Sequence, residues 1–119
     1  MSNNVSWLTE LAIKPGALDN MKALMAEMIE ATMANEPDAL NYNWHLNDAG
    51  DSCHIYERYT DSAAALVHLT NFGAKFVDRF LGCMDLTRLT VYGKASDDVR
   101  AALDDFGATY YPSSTGFDR

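Results

Sequence analysis

Positive charge is what this chain has least of. Nine lysines and arginines stand against seventeen acidic residues, a formal net charge of −8. No stretch gathers the basic residues into the face that a phosphate backbone requires, so nucleic acid is not an expected partner. Cysteine is nearly absent as well. Cys53 and Cys83 are too few for a disulfide framework, and Cys53, inside a strand-like stretch, is expected to be a buried free thiol. No apolar run approaches the ~20 residues of a bilayer span. The opening MSNNVSWL has neither the basic start nor the apolar block of a secretion signal, and a reducing cytoplasm is the expected compartment. Also missing are the G-x-S-x-G nucleophile elbow, the P-loop, the G-x-G-x-x-G turn and Cys-x-x-Cys. Histidine occurs only at His45, His54 and His68. Neither spacing is that of a zinc helix, and the strand phases need not bring His45 and His54 together, so no metal centre is expected.

What is present suits one folded domain: 119 residues, 48% of them hydrophobic. Trp7 to Ile13 reads as a strand covered on both faces, ended by Lys14-Pro15-Gly16. Ala17 to Asn35 is a helix, with Leu18, Met21, Leu24, Met25, Met28, Ile29 and Thr32 at three- and four-residue steps. Glu36-Pro37-Asp38 stops it. Leu40 to Leu46 is a second strand with Tyr42, Trp44 and Leu46 on one face, and a turn at residues 47–51 leads into a third. Asp61 to Leu81 is helical, with an interruption expected at Asn71-Phe72-Gly73. A loop over residues 81–85 and a strand over Leu86 to Ala95 follow. Ser96 caps a last helix, closed by Gly107, and the aromatic tail Tyr110 to Phe117 is expected to pack as an arm on the body or on a partner.

The stretch Cys53–His68, CHIYERYTDSAAALVH, concentrates the polar interest. It runs as a strand to Thr60, turns at Asp61-Ser62 and continues as a helix. Glu57 lies about four strand residues before the turn, roughly 13 Å. His68 lies about seven helix residues after it, roughly 10 Å. If the helix folds back over the strand, a carboxylate and an imidazole meet at one height between sheet and helix, an arrangement that orients and tunes a general base. Against this, the apolar stripe of the helix runs through Leu66, Leu69, Phe76 and Phe80, with His68 at its edge. The expected apolar pocket around the pair is lined by Tyr59, Leu66, Leu69, Phe72, Phe76 and Trp44.

The order β-α-β-β-α-β describes a ferredoxin-like unit, α+β in class, with helices on one face of an antiparallel sheet. The other face carries too many aromatics for a soluble monomer, so a homodimer joined sheet to sheet is expected.

The Lys14-Pro15-Gly16 strand end, the methionine-rich helix, Tyr56-Glu57-Arg58-Tyr59-Thr60-Asp61 followed by Ala64, Leu66 and His68, the Phe72/Phe76 spacing and Thr90-Val91-Tyr92-Gly93 resemble the antibiotic biosynthesis monooxygenase family. These are small dimeric α+β barrels that include quinol monooxygenases. The resemblance covers roughly Ser6 to Ala95. Residues 1–95 then form the family domain and 96–119 a C-terminal helix and dimer-contacting arm within the same domain. Haem-degrading proteins of similar fold carry an axial histidine late in the second helix, where this chain reads Ala74-Lys75-Phe76-Val77-Asp78, so haem is not expected. The resemblance implies cofactor-free oxygenation, by O₂, of an electron-rich phenol or hydroquinone-like ring. His68 would be the base, Glu57 would hold its tautomer, and Tyr59 or Tyr92 would hydrogen-bond the substrate oxygen. A non-catalytic dimer binding a small aromatic molecule, and a lactone isomerase-type acid–base enzyme, are the alternatives on the same fold.

Overall fold

The computed structural model describes residues 2–119. The elements run β1 (Val5–Ile13), α1 (Leu18–Asn35), β2 (Ala39–Leu46), β3 (Ser52–Tyr59), α2 (Ser62–Lys75), α3 (Val77–Cys83), β4 (Met84–Gly93), α4 (Asp97–Asp104) and β5 (Thr109–Tyr111). The sheet order is β2-β3-β1-β4-β5, with β1 at the centre, antiparallel to β3 and β4. This is the expected α+β, ferredoxin-like arrangement with a fifth strand added at one edge, where β5 runs parallel to β4.

Strand alternation decides which side chains reach the core. In β1, Val5, Trp7, Thr9, Leu11 and Ile13 are buried, while Ser6, Leu8, Glu10 and Ala12 are only half-buried. The strand is therefore one-sided, and the apolar Leu8 and Ala12 had hidden that from a reading of composition alone. In β3, Cys53, Ile55, Glu57 and Tyr59 point inward. Across the bare face His45 pairs with His54, on the side of the sheet away from His68. Helix α1 buries Met21, Leu24, Met28 and Thr32 against the sheet and leaves Met33 in solvent.

Two clusters make up the core. One gathers Leu11, Met21, Leu24, Met28, Ile55, Phe76 and Phe80. The other gathers Val5, Trp7, Tyr59, Ala65, Leu89, Val91, Val99 and Leu103. The cavity described below is lined from both and lies along the seam between them.

Several expectations are corrected. The helix after Asp61 does not break at Gly73, which stays helical. It breaks at Phe76, whose φ of −127° ends α2, while its side chain is drawn into the core. A buried aromatic outweighs the weak helix propensity of one exposed glycine. The expected loop at 81–85 is absent, because α3 reaches Cys83 and β4 begins at Met84. The inward stripe of α2 is centred on Ala65 and His68, not on Leu66 and Leu69. The tail, expected to pack as an arm, does so only in part on this chain. Thr109–Tyr111 pairs with β4, and the Tyr110 hydroxyl donates to the Asp104 carboxylate at 2.6 Å, but Tyr111 and Phe117 remain exposed on this chain.

Candidate active site

The turn between β3 and α2 is set by Asp61, whose Oδ1 accepts from the Ala64 amide at 2.9 Å and caps the helix. From that cap α2 runs back over the sheet. Three turns of strand and helix later, His68 Nε2 lies 3.2 Å from Glu57 Oε1. The convergence of these two residues is thus present in the fold.

A third residue joins them. Glu36, just past the end of α1, places Oε1 at 3.0 Å from His68 Nδ1, and Asn71, one turn along α2, donates to Glu36 Oε2 at 3.3 Å. All three ionisable residues are buried: Glu36 8%, Glu57 6% and His68 5% exposed. The sequence reading used Glu36 only as a helix stop. The available signal was its place in Glu36-Pro37-Asp38: the chain there turns into β2, and β2 pairs with the strand that carries Glu57. That geometry holds a side chain from the helix end close to α2.

Both ring nitrogens of His68 therefore face carboxylates, a pattern that suits the doubly protonated ring. Burial pulls the His68 pKa down, but Glu57 and Glu36 together outweigh it and raise it from the ordinary 6.5 to about 9. At neutral pH His68 therefore holds its proton. Tyr59 is fully buried and donates its hydroxyl to Glu57 Oε1 at 2.6 Å. Burial and the neighbouring Glu57 push the Tyr59 phenol well above its usual range, and they push Tyr42 upward likewise, so both phenols stay protonated. The Tyr42 and Tyr59 rings flank the imidazole with centroids 5.1 and 5.3 Å away. Glu57 takes its contacts from His68 and Tyr59 on Oε1 alone. Among the described residues no side chain or amide donates to Oε2, and it is not among the buried unpartnered atoms, which leaves it open to a further partner.

Glu57 and His68 open on an apolar cavity with walls from Trp7, Ile55, Leu69, Phe72, Phe80, Leu89, Leu103 and Phe106. Its free volume is about 50 Å³, against about 150 Å³ for a cavity that holds benzene, so a ring can enter only as side chains move aside. Of the expected lining residues, Leu69 and Phe72 are in place and Tyr59 sits behind Glu57. Four are elsewhere. Tyr92 is on the bare face beside Tyr111, because alternation in β4 turns it away from the helices. Trp44 packs on Tyr42 and Phe80, with its indole Nε1 buried and unpartnered. Leu66 packs beside the second core cluster, and Phe76 lines a smaller void behind Glu36. In exchange, α4 supplies Leu103 and the turn after it Phe106, a contribution that their position after the ferredoxin-like unit did not announce.

Residues 5–81 match the model of the antibiotic biosynthesis monooxygenase family. The chain belongs to that family. The matched segment holds Glu36, Glu57, Tyr59 and His68, whereas β4, α4 and β5 lie beyond it. No curated protein sequence matches the chain. Among solved structures, MupZ from Pseudomonas fluorescens is similar over 99% of this chain and 96% of its own, with 26% identity and a TM-score of 0.87. A putative antibiotic biosynthesis monooxygenase from Bacteroides thetaiotaomicron is 27% identical over 75% of this chain and 85% of its own, with a TM-score of 0.64. SnoaB from Streptomyces nogalater, a cofactor-independent oxygenase, shares the fold at 14% identity, with a TM-score of 0.66 over 80% of this chain and 96% of its own. The likeness to MupZ extends through α4 and β5, so the added helix and strand are not peculiar to this antibiotic biosynthesis monooxygenase family member.

Proposed function

We propose that the protein is a cofactor-independent monooxygenase that uses O₂ to oxidise an electron-rich, neutral phenol or hydroquinone-like ring. The observation that carries this reading is buried Glu57, which lines the apolar cavity beside the His68 cation and meets His68 and Tyr59 through Oε1. Family membership supports it. Neither lysine nor arginine lines the cavity, which favours a neutral ring over an acidic substrate.

Glu57, rather than His68, takes the phenolic proton, because its second oxygen is free while both His68 nitrogens are occupied. The resulting anion is stabilised by the His68 cation beside it. An electron-rich anion of this kind passes an electron to O₂, and recombination of the radical pair forms a carbon–oxygen bond. Cleavage of the O–O bond leaves one oxygen on the ring and releases the other as water. A hydroquinone thus supplies all four electrons that reduce O₂, giving a hydroxyquinone and water with no external reductant. Residues 96–119, through Leu103 and Phe106, close the cavity in this reading. The Leu8, Tyr56, Tyr92 and Tyr111 side of the sheet joins two copies, and light scattering should then give about twice the 13.2 kDa chain mass.

A second reading has its own support. The His68 cation and the Glu57 carboxylate provide an acid and a base side by side, which is what a lactone isomerase-type reaction needs without oxygen. Oxygen uptake by the metal-free protein over a panel of hydroquinones and anthrones decides between them. One O₂ consumed per ring oxidised, abolished in Glu57→Gln, is the expected result. Turnover with no oxygen uptake replaces the oxygenase by the isomerase reading, and binding with no turnover replaces both by a ligand-binding role.

A further inference from the structure

We propose that Glu36 is a positioning residue whose charge, held on the side of the His68 ring away from Glu57, leaves the buried Glu36–His68–Glu57 cluster one proton short of neutral and so makes Glu57 the acceptor of the substrate proton. The inference rests on the reading of Glu57 as that acceptor.

The charge count comes directly from the geometry. Glu36 and Glu57 each contribute −1 and the imidazolium +1, and all three are buried. The groups facing them add nothing that cancels the remainder. Tyr42 from β2 and Tyr59 from β3 are protonated phenols. From β1 come Trp7 and Thr9; from α3, β4 and α4 come only apolar side chains at the cavity. On α2, Asn71 is neutral, and Lys75 borders only the small void behind Glu36 while its side chain remains exposed. One negative charge is therefore left in a poorly solvated site, where it is costly. Transfer of the substrate proton to Glu57 moves that charge from the cluster to the substrate oxygen, beside the His68 cation.

Without Glu36 the balance reverses. His68 and Glu57 alone would be a closed, neutral ion pair and a weaker proton acceptor, and the transfer would leave that pair at +1 beside the substrate anion. Two carboxylates on one imidazole thus set the direction of proton transfer, and they divide the work. Glu36 is committed to Nδ1, with its other oxygen held by Asn71. Glu57 keeps Oε2 free on the cavity.

The test is Glu36→Gln, which keeps the shape and removes the charge, read by NMR titration of His68 and by the pH–rate profile on whichever panel compound turns over. The His68 midpoint should fall by about one pH unit or more. Turnover should fall by roughly 10²-fold with little change in KM. Glu36→Asp should restore part of both, and Asn71→Ala, which spares the charge, should leave the midpoint within about half a unit. An unchanged His68 midpoint in Glu36→Gln, or a fall in Asn71→Ala as large as in Glu36→Gln, overturns the inference. The titration needs no substrate. A lowered midpoint with no turnover of any panel compound would remove the oxygenase reading and leave the cluster charge as inferred. If Glu36→Gln does not fold, Glu36→Asn and Glu36→Ala, which also remove the charge, carry the same titration test.

Discussion

Raising the pH should unfasten this protein from the inside, and the amount can be worked from His68. In the unfolded chain this histidine titrates near 6.5; in the fold, with Glu36 and Glu57 on its two nitrogens, it holds its proton up to about 9. Its protonation therefore contributes stability that is fully present below 6.5, declines as the pH rises toward 9 and is gone above it. The slope inside that window is about 1.4 kcal/mol per pH unit, so the whole effect is roughly 3 kcal/mol. That is a large share of the roughly 5–15 kcal/mol that holds a domain of this kind together. Urea unfolding followed by tryptophan fluorescence at pH 6.5, 8 and 9.5 measures it. His68→Gln serves as the reference, because lysines and tyrosines also begin to titrate in the upper part of this range. The wild-type advantage over His68→Gln should shrink by roughly 3 kcal/mol between pH 6.5 and 9.5. An advantage that stays constant across that range, or that disappears already below pH 7, refutes the reasoning, since His68 would then be neutral in the fold.

Three further outcomes are expected. Glu57→Gln should lower turnover by roughly 10²–10⁴-fold in a steady-state assay, because it removes the proton acceptor while leaving the cavity walls in place. Asp61→Ala deletes the cap that starts α2 and should cost about 1 kcal/mol in denaturant unfolding. Deleting Tyr110 onward removes two of the three residues of β5 and the Tyr110–Asp104 hydrogen bond, and it should lower the melting temperature by several degrees in a thermal scan.

The sheet and the helices that cover it were legible because their signals are local. Strand alternation, the Gly and Pro breaks and the Asp61 and Ser96 caps each act within a few residues, and Ser96 does accept from the Val99 amide at 3.2 Å. The meeting of Glu57 with His68 was legible for the same reason, since one strand, one turn and one helix fix it. Glu36 was not. It lies 32 residues from His68 and reaches it only because α1 ends beside α2, a matter of packing and not of spacing. The charge of His68 was hidden with it, because one carboxylate was anticipated and two are present. Tyr92 was misplaced because the strand's phase was not worked out: Leu89 and Val91 face the helices, so Tyr92, one residue on, turns to the bare face. Phe76 was misplaced because the helix break follows a buried ring, which only the folded core can reveal.

The cavity has two authors within one chain. Glu36, Glu57 and His68 all lie inside the family-matched segment, whereas part of the cavity's shape is cut by Leu103 on α4 and Phe106 in the turn after it, both beyond that segment. Helix α4 is fastened by its own Ser96 cap, by the bond from the Ser96 amide to the Ser62 hydroxyl and by the burial of Val99, none of which touches Glu36, Glu57 or His68. The mould can therefore be recast without disturbing what it surrounds: exchanging residues 97–106 for a differently shaped segment would change the outline of the cavity while leaving Glu36, Glu57 and His68 as they are.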